Sequence, residues 1–164
     1  MGLSGIDGGL IEAQFKDERL GFVGKITKVR PQPITDLLEK NYIPVVSTVA
    51  SDRQGNVYNI NGDTAAARIA GALNAERLIM MTDVPGILTN RDDPTTLIPE
   101  ISIEEAYKLY ENGVISGGMI PKVDCCIEAI REGVTNVTIM DGRVPHSILM
   151  ELLTDEGSGT MVTA

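Results

Sequence analysis

From residue 30 onward, short apolar runs alternate with segments of helical periodicity. The runs YIPVVSTVAS, RLIMMTDV and NVTIMDG have the β-branched and large apolar composition that is typical of strands buried in a sheet. Between and after them lie the helical patterns PQPITDLLEKN, NGDTAAARIAGALNA, IEEAYKLYENG, PKVDCCIEAIRE and HSILMELLT. Strands that alternate with helices of about 10–15 residues predict an α/β fold, a three-layer αβα sandwich with a mostly parallel central sheet.

The start of the chain has a different pattern. Asp7-Gly8-Gly9 is a hairpin signal, and the residues on either side of it alternate as strands do. We therefore expect an N-terminal β-hairpin unit. The whole chain has 164 residues, which suffice for one hydrophobic core, so we expect a single domain over residues 1–164.

Charge and hydropathy argue against two classes of partner, nucleic acids and membranes. The net charge of −9 disfavours a nucleic-acid binder, which is usually basic. No apolar run approaches the roughly 18 residues of a membrane span, and the N-terminus has no signal-peptide pattern. We expect a cytoplasmic protein, or a protein of the plastid stroma if the source is a plant.

The helix predicted over residues 121–132 has one apolar face. Its members are Val123, Cys126, Ile127 and Ile130. Cys125 and Cys126 are adjacent, and such neighbours rarely pair, so we expect reduced thiols with Cys126 in the core. No cluster of cysteines and histidines stands near them, and we predict no metal held by the protein alone.

The same helix carries a lysine at its unfavourable end. Pro121 suits the first helical position, so Lys122 falls in the first turn, where the helix dipole is positive. One interpretation is an exposed, screened lysine that costs a few tenths of a kcal/mol. The other is an anion site, in which Gly117 and Gly118 let the backbone approach a phosphate.

Polar residues also follow two predicted strands. Asp83, in the turn after RLIMM, could hold a ribose hydroxyl beside apolar neighbours that face a base, although a turn-forming Asp is as common. Asn59, Asn61 and Asp63 precede a helix, and one cap does not need three such residues. Neither a P-loop motif nor a Rossmann GxGxxG follows a strand.

Four motifs carry a family resemblance. YNINGD, TDVPGIL, GGMIPKV and TDEGSGTMV occur in the order seen in the N-acetylglutamate kinases, and the chain resembles this branch of the amino acid kinase family over almost its whole length. These enzymes phosphorylate the γ-carboxylate of N-acetyl-L-glutamate with MgATP, a step of arginine biosynthesis. The resemblance implies ATP as cofactor, with Mg²⁺ held mainly by the nucleotide.

The resemblance also implies residue roles. Lys122 and Asp63 are expected to be catalytic: Lys122 stabilises the transferring phosphoryl group and Asp63 organises the catalytic lysines. Asn59 is expected to help hold the acetylamino acid. The implied ATP pocket consists of Thr82, Asp83, Val84, Pro85, Gly86, Ile87, Leu88, Val114, Ile115, Ser116, Gly118 and Met119, with Met119 near the adenine.

The C-terminal segment GRVPHSILMELLTDEGSGTMV resembles the arginine-inhibited branch. His146, Glu151 and Gly157 match the positions that the resemblance associates with the arginine effector. The alternative is a plain amphipathic helix whose inward residues are Ile148, Leu149 and Leu152. The segments MIPKVDCC and DGR are similar to those of cyanobacterial and plant enzymes of this family, some of which bind the PII signalling protein.

Length distinguishes this chain from the family that it resembles, whose members are usually nearly twice as long. We expect the C-terminal, nucleotide-binding lobe alone, without the N-terminal substrate lobe, and inactive by itself. An uncovered apolar edge would favour self-association. The alternatives are the lobe of another amino acid kinase family member and a non-catalytic module that senses arginine or docks a regulatory protein.

Overall fold

The structure of the chain is a computed structural model that describes residues 1–154 and 157–164. The chain divides into two compact units, Met1–Leu73 and Asn74–Ala164. Both units combine helices with mixed sheets, which confirms the predicted α/β class. The expectation of a single domain stays a prediction.

The first unit contains strands and two helices. They are β1 (Gly2–Ser4), β2 (Ile11–Phe15), β3 (Gly24–Val29), α1 (Gln32–Glu39), β4 (Val45–Ser47), β5 (Val49–Ser51), β6 (Val57–Asn59) and α2 (Gly62–Ala72). One sheet has the order β3-β2-β5-β6, in which only the β2–β5 pair is parallel. β1 and β4 form a separate parallel pair.

The N-terminal hairpin exists, but its turn is not where the sequence placed it. β2 and β3 pair antiparallel and are joined by residues 16–23. Asp7-Gly8-Gly9 instead forms a 3-10 turn between β1 and β2, which lie in different sheets. The prediction of a hairpin turn at these residues is wrong, because a short glycine-rich turn permits a change of sheet as readily as a tight reversal.

The run YIPVVSTVAS is two strands rather than one buried strand. β4 and β5 belong to different sheets and are separated at Thr48, and Val45 is 65% exposed whereas Ala50 is fully buried. An apolar run does not reveal how many neighbours will cover it, so the sequence alone could not separate the two strands. The core of this unit consists of Leu10, Ile11, Ala13, Ile26, Ile34, Ala50, Tyr58, Ile60 and Ala65, with Ile69 and Leu73 of the α2 region packed against it.

The second unit contains the helices that flank the site. Its elements are β7 (Arg77–Thr82), β8 (Glu100–Ser102), α3 (Ile103–Glu111), α4 (Met119–Arg131), β9 (Asn136–Asp141), α5 (Ser147–Leu153) and β10 (Gly159–Thr163). The sheet has the order β7-β9-β10-β8. The outer pairs β7–β9 and β10–β8 are parallel, and the central pair β9–β10 is antiparallel.

Both helices before β9 form for reasons visible in the sequence. Ser102 and Glu105 make the expected capping box: the Glu105 amide donates to Ser102 Oγ at 3.2 Å, and Glu105 Oε2 accepts from the Ser102 amide at 2.8 Å. α4 packs against β9 and β10 with Val123, Cys126, Ile127 and Ile130 all buried, as predicted. Cys125 is buried too, and both cysteines are free thiols.

α4 begins earlier than predicted, at Met119, with Gly118 as its N-cap. Pro121 is therefore the third helical residue rather than the first. This position is tolerated because the first amides of a helix have no intrahelical partner, so the N–H that proline lacks is not missed. Lys122 still lies beside the first turn.

α5 departs furthest from expectation. In the alternative interpretation of this segment, a plain amphipathic helix, Ile148, Leu149 and Leu152 point inward, but they are 39%, 53% and 46% exposed. Ser147 is the buried residue of this helix in the described part of the chain. The alternative of an inward apolar face is therefore not what the structure has, and the α5 region makes polar contacts through Glu151 and the Ser147 carbonyl. None of the helices in the residues searched has the length and apolar character that crossing a membrane requires.

Candidate nucleotide site

A cavity of about 410 Å³ lies in the second unit, between the segment that follows β7 and the start of α4. Its wall consists of Asp83, Val84, Pro85, Gly86, Ile87, Leu88, Arg91, Val114, Ser116, Gly118, Met119 and Lys122. Except for Arg91, every one of these residues was predicted from the sequence. The structure thus brings together, in one cavity, two segments that are about thirty residues apart in the sequence.

Two predicted pocket residues stand outside this wall. Ile115 is 2% exposed, so its side chain belongs to the core. Thr82 is the last residue of β7, and its hydroxyl donates to Asp83 Oδ1 at 3.2 Å. Thr82 therefore orients the Asp83 carboxylate rather than lining the cavity itself.

The segment 83–88, which we call the wall loop, is held at its far end by a buried threonine. Thr160 Oγ1 accepts a hydrogen bond from the Ile87 amide at 2.8 Å and donates to the Ile98 carbonyl at 2.6 Å. Gly86 has φ 146°, and a Cβ atom there would lie 2.5 Å from Thr160 Oγ1. Only glycine fits this position, both for its backbone conformation and for its space.

The near end of the wall loop is held by an arginine. Arg143 Nη2 donates to the Asp83 carbonyl at 2.6 Å, and the same guanidinium makes two hydrogen bonds to the Asp141 carboxylate. The Arg143 side chain and amide lower the pKa of Asp141 to about 2. Asp141 is therefore ionised at neutral pH and keeps the guanidinium in place.

The opposite wall of the cavity is the N-terminus of α4. Gly117 has φ 54°, Gly118 caps the helix without a side-chain hydrogen bond, and the first turn contains no acidic residue. The helix is 13 residues long, so its dipole places partial positive charge here. The half-buried Lys122 adds a full charge. This end of the cavity suits an anion such as a phosphate.

Four residues near the site were missed by sequence reasoning. Arg91 adds a second cation to the wall, and Thr160, Asp141 and Arg143 fix the wall loop. The Asp-x-Arg spacing of Asp141 and Arg143 is a local signal that could have suggested a turn. Nothing in the sequence indicates that Arg143 reaches a carbonyl 60 residues away.

Asn59 and Asp63 lie in the first unit. Asn59 is the exposed last residue of β6, and its amide donates to the Phe22 carbonyl at 2.8 Å. Asp63 is half-buried in the first turn of α2. The cap of this helix is Asn61, whose Oδ1 accepts from the Thr64 amide at 3.1 Å. Capping therefore does not account for Asn59 or Asp63.

The structure brings two of the three predicted effector residues together. Glu151 Oε1 accepts from the Thr138 hydroxyl at 2.8 Å, and Oε2 accepts from the Ser158 amide at 2.9 Å. A Cβ atom at Gly157 would lie 3.1 Å from Glu151 Oε2. His146 stands at the start of α5 with φ 62°. Two residues of the TDEGSGTMV motif, Asp155 and Glu156, lie outside the described residues.

The residues present fit a nucleotide that carries its own metal ion. Asp83 is the carboxylate of the cavity wall in the residues that the structure describes, and one carboxylate does not make a protein-held Mg²⁺ site. No group of three or more potential metal ligands occurs in residues 1–154 and 157–164. The apolar and cationic parts of the wall match a base and phosphates, respectively.

The family model described as the amino acid kinase family matches residues 1–141, and the chain belongs to this family. Among members of the family, it is similar to acetylglutamate kinases. It is 52% identical to that of Synechococcus sp. (strain RCC307), over 99% of this chain and 55% of that protein. The chloroplastic acetylglutamate kinase of Arabidopsis thaliana is 50% identical, over 99% of this chain and 48% of that protein. The chain thus spans about half the length of the curated relatives it matches.

Solved structures share the fold. N-acetylglutamate synthase from Neisseria gonorrhoeae, complexed with coenzyme A and L-arginine, superposes with a TM-score of 0.83 at 26% identity, over 98% of this chain and 37% of that chain. The protein smu.665 from Streptococcus mutans UA159 gives a TM-score of 0.79 at 30% identity, over 100% and 60%. An isopentenyl phosphate kinase gives 0.69 at 25% identity, over 99% and 59%.

Proposed function

We propose that residues 1–164 act as the MgATP-binding lobe of an enzyme that phosphorylates the γ-carboxylate of N-acetyl-L-glutamate. The observation that carries the proposal is the cavity in which the wall loop faces the N-terminus of α4 and Lys122. The high identity to acetylglutamate kinases supports the choice of substrate. Because the chain spans about half of those relatives, the complete reaction requires further residues.

Each end of the cavity has its own task in this proposal. Val84, Leu88 and Met119 offer apolar surface to the adenine, and Asp83 accepts a hydrogen bond from a ribose hydroxyl. Lys122 and the positive end of the α4 dipole compensate the charge that spreads over the γ-phosphoryl oxygens during transfer. Mg²⁺ that arrives with the nucleotide would neutralise phosphate charge.

The first unit contributes the remaining roles. Asn59 helps hold the acetylamino acid, and Asp63 organises the catalytic lysines. No general base is needed, because the attacking carboxylate is already ionised at neutral pH. The lysine at the positive end of α4 is thus explained by the negative charge that reacts beside it, rather than by solvent screening.

The test is a calorimetric titration of MgATP into the chain and into Lys122→Ala, with Lys25→Ala as an exposed control on β3. We expect binding in all three, slightly weaker in Lys122→Ala. On co-expression with the first half of the Synechococcus relative, we expect Lys122→Ala to lower kcat by about 10²–10³-fold, as for other charge-stabilising groups. An unchanged kcat in a restored enzyme would remove the role of Lys122.

A second proposal concerns arginine. The Neisseria synthase, whose structure contains L-arginine, shares the fold at 26% identity. We propose that His146, Glu151 and Gly157 contribute to an arginine effector site. Titration of L-arginine into the chain, with L-lysine as the control ligand, tests it. Equal affinity for the two amino acids would contradict a specific site.

Two further interactions and a location belong to the same proposal. Exposed Tyr42, Ile43 and Val45 beside the short β1–β4 sheet favour self-association, which light scattering at micromolar concentration checks. Docking of the PII signalling protein is checked by calorimetric titration of that protein into the chain. A chain that stays monomeric would contradict self-association, and a chain that does not bind PII would contradict docking. The enzyme would work in the cytoplasm, or in the plastid stroma of a plant.

A further inference from the structure

Two turns in this protein have the same local design. In each turn, an Asp is followed two residues later by an Arg whose amide and guanidinium both donate hydrogen bonds to the Asp carboxylate. Arg19 donates to Asp17 from its amide (2.9 Å), from Nε (3.1 Å) and from Nη2 (2.6 Å). Arg143 donates to Asp141 from its amide (2.9 Å), from Nε (2.9 Å) and from Nη2 (2.8 Å). Both arginines are mostly exposed.

The two turns differ in one long-range contact. Arg143 Nη2 also donates to the Asp83 carbonyl at 2.6 Å, whereas the Arg19 side chain donates only to Asp17 within residues 1–154 and 157–164. Asp83 follows the end of β7, so its carbonyl has no partner from the neighbouring strand; there the last backbone contact runs from the Gly142 amide to the Thr82 carbonyl at 2.8 Å. The guanidinium thus extends the β7–β9 pairing by one residue.

This contact lies at the first residue of the wall loop. Thr160 holds the loop from inside at Ile87, so the loop is fixed by one buried neutral group and one exposed charged group. The Asp141 carboxylate neutralises the charge of Arg143 and accepts two hydrogen bonds from its guanidinium. The guanidinium is therefore fixed in place and poorly suited to binding a phosphate. Its geometry suits a fixed hydrogen-bond donor that holds the backbone of the wall loop at Asp83.

We propose that Arg143 is a positioning residue for nucleotide binding, which acts through the Asp83 carbonyl on the ribose and adenine end of the cavity. The inference rests on the proposed nucleotide site. It assigns Arg143 no contact with phosphate. We therefore expect the Asp141–Arg143 pair to matter for nucleotide binding, although the Arg143 side chain itself is mostly exposed.

The experiment compares Arg143→Gln and Arg143→Lys with the matched control Arg19→Gln in the full chain. We expect Arg143→Gln to weaken MgATP binding by about fivefold to tenfold, because a charge-assisted hydrogen bond that orders the loop is lost. Arg143→Lys should recover part of that loss, since an ammonium can still donate to the carbonyl. Arg19→Gln should bind as the unchanged chain does.

A second readout separates positioning from general destabilisation. Amide hydrogen exchange at Ile87 and Leu88 should accelerate in Arg143→Gln and stay unchanged in Arg19→Gln, while the melting temperatures of the two variants should agree. Equal MgATP affinity in the unchanged chain and Arg143→Gln would overturn the inference and leave the nucleotide site standing. Absence of MgATP binding in the unchanged chain would overturn the proposed function, and the inference with it.

Discussion

α4 and α5 both have apolar residues at helical spacing, but α4 buries these residues whereas α5 exposes them. Both carry large apolar residues at helical spacing, and both lie in the second unit. α4 buries its stripe, with Ile127 at 4% exposure, whereas Leu149 of α5 is 53% exposed. Helical periodicity therefore identifies where a helix forms, but it does not tell whether the apolar face will be covered.

The two helices are also held by different forces. α4 packs its apolar face against β9 and β10. α5 is tied by polar contacts: Glu151 accepts from Thr138 and Ser158, and Ser158 Oγ donates to the Ser147 carbonyl at 3.0 Å. Substitutions that remove apolar contacts should act strongly on α4, and those that remove acceptors should act on α5.

The largest effect is expected from Ile127→Ala in α4. The substitution leaves a cavity in a packed core and should lower the free energy of unfolding by about 2–5 kcal/mol. Alanine is a good helix former, so the loss reports packing and not helix propensity. Urea denaturation measures it. A loss below about 1 kcal/mol would mean that the site collapses around the smaller side chain and that α4 is packed no better than α5.

A smaller effect is expected from Glu151→Gln in α5. The amide keeps the size of the side chain but loses the charge, and it can no longer accept at both oxygens from Thr138 and Ser158. Because hydrogen bonds to charged groups are the stronger kind, we expect a loss of about 1–3 kcal/mol in the same urea assay. If the variant is as stable as the unchanged chain, polar contacts do not hold α5.

These contrasts show which parts of the fold the sequence could predict. Local signals were sufficient for the capping box at Ser102, for the buried face of α4 and for the wall loop with its Pro-Gly turn. The family motifs then led to nearly all residues of the cavity wall. In each case the deciding interactions are either close in sequence or recorded in a pattern that recurs in relatives.

The remainder depends on contacts between distant residues. Arg143 meets Asp83 across 60 residues, and Thr160 meets Ile87 across 73. The exposed face of α5 and the change of sheet after Asp7-Gly8-Gly9 likewise follow from tertiary packing, which overrides local preference. A polar side chain that supports a loop from another element has no periodic signature, so these positions could not be predicted.

A near-zero effect is expected from Leu149→Ala. The side chain is 53% exposed, so its truncation removes little buried surface, and most surface substitutions change stability by less than about 0.5 kcal/mol. The comparison with Ile127→Ala in one urea series sharpens the contrast between the helices. A loss of 2 kcal/mol or more would show that the face of α5 is covered in solution, for example in a self-associated form, and concentration dependence of that loss would identify it.

The smallest effect is expected from a change of pH, because a carboxylate such as Asp141 titrates and an apolar contact does not. The pKa of Asp141 is lowered from 3.8 to about 2 by the hydrogen bonds from Arg143, so the folded state favours the carboxylate. Its contribution to stability is present above pH 4 and is lost as the pH falls from about 4 to about 2. Asp141→Asn should therefore lower the melting temperature slightly at pH 7, by an amount that shrinks as the pH falls from about 4 and disappears below about pH 2. The deficit of Ile127→Ala should persist wherever the chain folds, because no titrating group is involved. A constant difference between Asp141→Asn and the unchanged chain across this range would mean that the Asp141–Arg143 pair contributes through shape rather than charge.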